Sequence, residues 1–435
     1  MFINSSKYLT KTNYLNLIFS AIPISFILGN TAINSNILLL IFSTIFLYGA
    51  NSIKIKYYLL DRLMILFFLL TLLTSFINNI DLYYNNEIFA KDFTIIIKSL
   101  SYLRYLALYL IIRFLIERKI LNFKYFFISC FLFSIFVSFD IFYQLTFGKD
   151  IFGFEASGRK LSGPFDDELI AGSYLQRFSL FSFFLFPIFF NIETKKFIKF
   201  LIPLLFIVFF SAIIISGNRM PLILFILGIS ALLVFQKETR KYMPIFIIVF
   251  SLAFILIFKL NSTVRHNFMN FYKQIDGIAK TSILNKTEEI NLHSNYSKEF
   301  STFYDTWLMN KYIGGGIKSF RYYCHARPNI DKNSKFICNM HPHNYYLEIL
   351  TETGIVGFLI ITSIFLIILY ISFFKKYFTN SKLKYNHIIT PFMFLFLIEI
   401  FPIRSTGSFF TTTNATFIFL VIAVTVALAR KENLN

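Results

Sequence analysis

Runs of about 20 apolar residues, separated by short polar breaks, fill most of this chain and limit what it can fold into. Twelve such runs can be read, at 14–30, 32–50, 57–77, 93–116, 123–146, 171–190, 198–216, 219–236, 243–260, 344–374, 386–403 and 411–430. Each is long enough to cross the hydrocarbon core of a bilayer as a helix. The expected fold is therefore all-α: a polytopic transmembrane bundle of about 12 spans, with one large loop between spans 9 and 10. The length of 435 residues would accommodate two or three soluble domains, but the apolar runs overrule that count. Only 15% of the residues are charged and 56% are hydrophobic, which no ordinary soluble domain of this size would show.

The net charge of +19 raises nucleic acid as a partner, and the distribution of the charge argues against it. Lys and Arg stand in short clusters between the apolar runs, where the positive-inside rule expects them. There they can also attract anionic lipid headgroups. With the N-terminus in the cytoplasm, the inner loops hold Lys54, Lys56 and Arg62; Arg118, Lys119 and Lys124; Lys195, Lys196 and Lys199; Lys237, Arg240 and Lys241; and Lys375, Lys376, Lys382 and Lys384. Outer loops are nearly uncharged around Asn30–Asn36 or carry the acids Asp81 and Glu87. The reading is thus N-in and C-in. Lys7 and Lys11 precede the first run much as in a signal peptide, but no small-residue cleavage site follows, so a retained first helix is expected.

Three parts follow. Residues 1–260 hold nine spans and an outer loop at 147–170, residues 261–343 form the large outer loop, and residues 344–435 hold three spans. The turns at Gly217–Arg219 and Arg404–Gly407 fall on the same outer face, so the polar segments converge on one side of the membrane. Inside the spans, Arg104 and Asp140 are costly unless paired or facing a cavity, and a buried pair between them is expected. Cys130 lies in an apolar run and reads as an inert core residue. Cys324 and Cys338 lie in the large loop, and without a CxxC there is no zinc or redox motif.

The most informative stretch is HPHNYYLEILTETGIVG, His341 to Gly357, which closes the large loop and enters a span. Asn344 is a good N-cap, and Pro342 cannot continue a helix backward. His343 then stands at the mouth of a helix. A neutral imidazole there could take a proton from a hydroxyl near pH 7, and a capping or interfacial role is the plain alternative. His341 and His343 lack a third ligand of matching spacing, so no metal site is expected.

In this context the stretch is similar to the signature of the O-antigen ligase and O-antigen polymerase family. Other pieces resemble that family in the same order: SGNRMPLI (Ser216–Ile223), IGGGIKSFRYYC (Ile313–Cys324), LSGPFDDELIAGSYL (Leu161–Leu175) and FPIRSTGSFF (Phe401–Phe410). The resemblance covers roughly residues 130–430. It implies a bacterial inner-membrane glycosyltransferase with its active face in the periplasm. The donor would be a glycan on undecaprenyl diphosphate. A lipid A-core sugar would be the acceptor for a ligase, another repeat unit for a polymerase. No cofactor, metal or sugar nucleotide is implied. One departure stands out: the segment Tyr296–Tyr312 lacks the Arg that the ligase branch commonly carries there.

Residue by residue, the resemblance and the chemistry point to the same groups. His343 is the candidate general base. Arg219, Arg321 and Arg265 are candidates for the donor diphosphate, because a guanidinium gives paired, charge-assisted hydrogen bonds to phosphate. A snorkelling interfacial role is the alternative for Arg219. The Gly314–Gly316 run lacks the Lys-Ser/Thr of a P-loop and reads as a plain turn. Asn344, Glu348, Glu168 and Arg159 are placed around the glycan or behind His343. Glu348 or Glu352 could orient His343 or pair with Arg219, and Gly354 and Gly357 could allow close helix packing. In an oxidising periplasm Cys324 and Cys338 are expected to form a disulfide, with two free thiols the alternative. A transporter of lipid-linked sugars is a weaker reading, since no internal repeat is evident.

Overall fold

The computed structural model describes residues 10–84, 93–156, 160–189, 195–240, 243–260, 295–325, 343–404 and 407–431, with isolated positions at 262, 265, 266, 269, 272, 338 and 341. Arg159 and most of the large loop therefore lie outside the described residues. The main helices are α1 (Lys11–Ser20), α2 (Ile22–Ile27), α3 (Asn30–Tyr48), α4 (Leu59–Tyr84), α5 (Thr94–Glu117), α6 (Phe123–Phe147), α7 (Ala171–Phe189), α8 (Lys195–Ile215), α9 (Arg219–Phe235), α10 (Met243–Leu260), α11 (Asn295–Met309), α12 (Tyr345–Leu369), α13 (Ile389–Glu399) and α14 (Thr412–Lys431). Among the described residues there is no strand, only an isolated antiparallel bridge between Lys149 and Glu155.

Six of these segments are long and apolar enough to cross a membrane: Asn30–Ile53, Leu59–Ile80, Thr94–Glu117, Phe123–Phe147, Tyr345–Phe378 and Thr412–Arg430. Phe200–Ile215, Arg219–Phe235 and Ile389–Glu399 are shorter apolar helices. The expected first span, 14–30, is broken into α1 and α2 at Ala21, just ahead of Pro23. Proline has no N–H to give to the preceding turn, so the helix restarts there.

α14 runs through the middle of the bundle, with 89% of its span buried by other helices. Its Phe419 stacks on Tyr105 of α5 at 6.0 Å. Phe392 of α13 forms a second junction, with ring centroids 5.6, 6.0, 6.2 and 4.8 Å from Phe123, Phe126, Phe127 and Phe181. Such ring pairs pack by edge and offset contacts that fill volume at low rotamer cost. On the periphery the apolar side chains face outward: Phe46, Phe200, Leu132 and Leu359 are all exposed. That surface suits lipid and would be intolerable in water.

The two largest polar clusters lie toward opposite ends of the bundle. At one end Asp61 of α4 accepts hydrogen bonds from Arg113 of α5, from Arg430 of α14 (2.8 Å), from the Tyr109 hydroxyl (2.5 Å) and from the Tyr58 amide (2.7 Å). Glu117 takes the second arm of Arg113. This densely hydrogen-bonded cluster joins three helices.

At the other end α12 is broken at Gly354, whose φ of 65° and ψ of −172° leave the helix. The break frees backbone groups, and the 311–316 segment takes them up. Gly315 and Gly316 amides donate to the Thr351 and Glu352 carbonyls at 3.1 and 2.8 Å, and the Ile355 and Val356 amides donate to the Lys311 and Tyr312 carbonyls at 2.9 and 3.1 Å. A Cβ on Gly354 would lie 2.3 Å from the Tyr312 backbone, and one on Gly314 would lie 2.4 Å from that of Glu352 and Thr353. The glycines are thus more than a plain turn: they let two backbones touch.

Candidate active site

The stitched 311–316 segment delivers Lys318 and Arg321 to a cavity of about 1020 Å3. Its walls come from the Thr94 end of α5, the 160–170 loop, the start of α7, the 217–221 turn, residues 317–321, His341 and His343, and the chain from Arg404 to Asn414. Of the proposed site residues, the structure brings His343, Arg219, Arg321 and Glu168 to this one space. Arg265 is exposed and does not line it.

His343 has a φ of 52°, a left-handed conformation that is uncommon outside glycine and marks functional turns. The next residue explains how it is held. The Asn344 side chain accepts from the Tyr346 and Leu347 amides at 3.0 and 3.2 Å, capping α12. The same amide group donates to the carbonyls of Pro402 and Arg404 at 2.9 and 3.1 Å. Asn344 therefore anchors the helix mouth to the 402–404 turn and sits behind the cavity wall. The rings of His341 and His343 meet edge to face at 4.6 Å. Burial pushes the His341 imidazole down to about 4, against the opposing pull of Glu348, so it is neutral at ordinary pH.

Glu348 neither orients His343 nor pairs with Arg219. It is buried and holds Lys318 at 3.1 Å, the Ser408 hydroxyl and the Phe409 amide. Glu348 and Glu352 raise the pKa of Lys318 even though burial opposes it, so the ammonium stays charged. Neither oxygen of Glu352 has a hydrogen-bond partner among the described residues. The expected Arg104–Asp140 pair is also absent. Arg104 turns toward α14 and reaches Thr412, while Asp140 caps the Ile151 amide at 2.8 Å. The two residues stand on helix faces that look at different neighbours.

Cys324 and Cys338 are joined by a disulfide with Cα atoms 5.7 Å apart. It ties the turn Phe320–Tyr323, which carries Arg321, to the chain just ahead of His341. Two candidates thereby share one covalent support.

Several cations in the walls were not assigned to the site from the sequence. Arg177 of α7 is buried and gives a bidentate contact to Glu399 of α13, Nε at 2.9 Å and Nη2 at 3.2 Å, with a third bond to Asn414 at 2.6 Å. Arg404 grips the same carboxylate from the other side. Lys98, Arg104, Lys160 and Lys318 belong to the same walls, so among the described residues eight Lys and Arg residues line the cavity against one acid, Glu168. Such a chamber selects for an anion. An ionisable residue inside an apolar run is the signal that could have flagged Arg177 and Glu399.

Residues 204–362 match the family model for O-antigen ligases. This part of the chain is similar to the O-antigen ligase family. It runs from α8 into α12 and contains Arg219, Arg321 and His343. No curated protein matches the chain. Within the matched segment the three residues come from the 217–221 turn, the 317–321 segment and the mouth of α12, and they meet at the cavity.

His341 gives a pH-dependent prediction. Its folded pKa lies below the unfolded value, so its contribution to stability is complete above about pH 6.5 and is lost as pH falls toward 4. Thermal unfolding of detergent-solubilised protein across this window should show a smaller acid loss for His341→Gln than for the wild type. Identical acid profiles would remove the burial argument.

Proposed function

We propose that this chain is a membrane glycosyltransferase of the O-antigen ligase and polymerase type. It moves a glycan from undecaprenyl diphosphate to a hydroxyl of a second glycolipid on the periplasmic face of the bacterial inner membrane. The observation that carries this reading is that Arg219, Arg321 and His343, all within the segment matching the O-antigen ligase family, meet on one cationic cavity. The twelve-span, N-in and C-in arrangement belongs to the same reading, and it places the cavity outside and the Asp61–Arg113–Arg430 cluster inside.

The chemistry follows from the groups present. The acceptor oxygen attacks the anomeric carbon while His343 takes its proton. The bond from that carbon to the phosphate oxygen breaks, and the electron pair leaves with the diphosphate. Charge grows on the leaving oxygens, where Arg219 and Arg321 stabilise it more in the transition state than in the ground state. A well-stabilised phosphate needs little acid assistance, and attack from the face opposite the leaving group inverts the anomeric centre. No metal is needed for this sequence. Lipid A-core is the proposed acceptor, and a second repeat unit is the alternative.

Transfer in proteoliposomes tests it. Purified protein is given undecaprenyl diphosphate glycan with either lipid A-core or a second donor molecule. Product on lipid A-core makes it a ligase, and chain extension makes it a polymerase. No product on either acceptor, from folded protein, rejects the reading.

A further inference from the structure

A diphosphate esterified at both ends carries one ionised oxygen on each phosphorus, while the cavity wall carries Lys98, Arg104, Arg219 and Arg321 besides the cations that Glu399 and Glu348 hold. We propose that the Thr94 end of α5 binds a second anion, the phosphate group of a glycolipid acceptor, through Lys98 and Arg104. The inference rests on the glycosyltransferase reading above and adds the chemical class of the acceptor.

Arg104 carries most of the argument. It lies well inside a membrane-spanning helix, where an uncompensated charge is costly unless it faces a cavity or meets an anion. Arg104 lines the cavity, its hydrogen-bond acceptors are neutral oxygens (the Ser101 carbonyl at 2.5 Å, the Tyr105 hydroxyl at 2.8 Å and the Thr412 hydroxyl at 3.4 Å), and its guanidinium lies 4.5 Å from the Tyr105 ring. No carboxylate pairs with Arg104 or Lys98 among the described residues. Arg177 and Arg404 in the same cavity do have one, shared through Glu399.

The surroundings of Arg104 point the same way. Lys98, Ser101 and Tyr102 follow the i, i+3, i+4 spacing that puts them on one face of α5, and all three line the cavity. The Tyr102 ring is clamped against Phe68 and Phe410 at 5.3 and 5.1 Å, while its buried hydroxyl has no hydrogen-bond partner among the described residues. The Arg104 Nε is likewise buried and unpartnered. Buried polar groups left unsatisfied in this way are uncommon and mark places where a ligand completes the bonding. An ammonium, a guanidinium and a phenol, with no carboxylate between them, make a donor-rich wall suited to phosphate. The wall belongs to α5, outside the matched segment that carries His343 and Arg219.

The test uses full-length protein in liposomes with saturating donor. Acceptors are a second undecaprenyl diphosphate glycan, a phosphorylated lipid A-core, and the same lipid A-core without phosphate. Arg104→Gln and Lys98→Gln should raise KM for a phosphate-bearing acceptor about tenfold, the scale of one charge-assisted hydrogen bond. Donor KM and use of the phosphate-free acceptor should stay within about twofold. The phosphate-bearing acceptor that shows the split identifies the source of the phosphate. Equal effects on phosphorylated and phosphate-free acceptors, or a shift confined to donor KM, overturn the inference. Lys98 is exposed, so its variant serves if Arg104→Gln fails to insert. A wild type that transfers nothing counts against the function rather than the subsite. Thermal stabilisation by inorganic pyrophosphate then decides: it should be weaker in Arg104→Gln, and equal stabilisation overturns the inference.

Discussion

Replacing His343 by asparagine is expected to lower kcat for glycan transfer by about a hundredfold to ten-thousandfold, the usual contribution of a positioned general base. Asparagine is the informative choice. It tolerates the positive φ of 52° at this position better than most residues, so backbone strain is not added to the loss of the base. KM for the donor should change little, because the proton moves only in the transition state. Arg219→Ala should behave differently, since a guanidinium on the diphosphate acts both in binding and in the step that releases it. Its donor KM should rise as kcat falls. His341→Gln, beside His343 but already neutral, should leave most of the rate. A His343→Asn protein that folds normally and transfers at the wild-type rate would remove the imidazole from the mechanism.

The helix mouth at the candidate site is legible in the sequence, and the reason is local chemistry. Asn344 and Pro342 mark the start of a helix by their own conformational limits, so the mouth that presents His343 was visible in the sequence. Arg219 follows Gly217 at a break between two apolar runs, and the break itself placed it near an interface. What stayed hidden depends on partners distant in the chain. Nothing near Gly314 reveals that its neighbour is the backbone of Glu352, so three glycines looked like a turn. Arg104 and Asp140 lie in adjacent apolar runs and seemed made for each other, yet helix rotation aims one at Thr412 and the other at the 151 loop. The span count shows the same limit. Hydropathy counts apolar length, while Pro23 and the residues around Ala21 decide whether that length is one helix or two.

Removing Glu399 should be the most damaging single change to the fold around the cavity. The carboxylate is fully buried and is held by two guanidiniums, Arg177 from α7 and Arg404 from the turn before α14. Tyr345, at the start of α12, places its ring 4.7 Å from Arg404 and its hydroxyl 3.4 Å from the same carboxylate. Three segments therefore converge on the carboxylate that α13 carries. Glu399→Ala would leave two buried cations facing each other, a loss of about 3–5 kcal/mol for a broken buried ion pair. Glu399→Gln keeps the shape and loses the charge, so it should be destabilised for electrostatic reasons alone. Thermal unfolding of the solubilised chain measures this. The two arginines also line the cavity, which adds a signature that a purely structural network would lack. An anion bound there can stand in for the missing carboxylate, so inorganic pyrophosphate should stabilise Glu399→Gln more than it stabilises the wild type. If both proteins gain equally, the paired arginines serve only to hold the helices, and the anion sites of the cavity are confined to the groups that Glu399 does not neutralise.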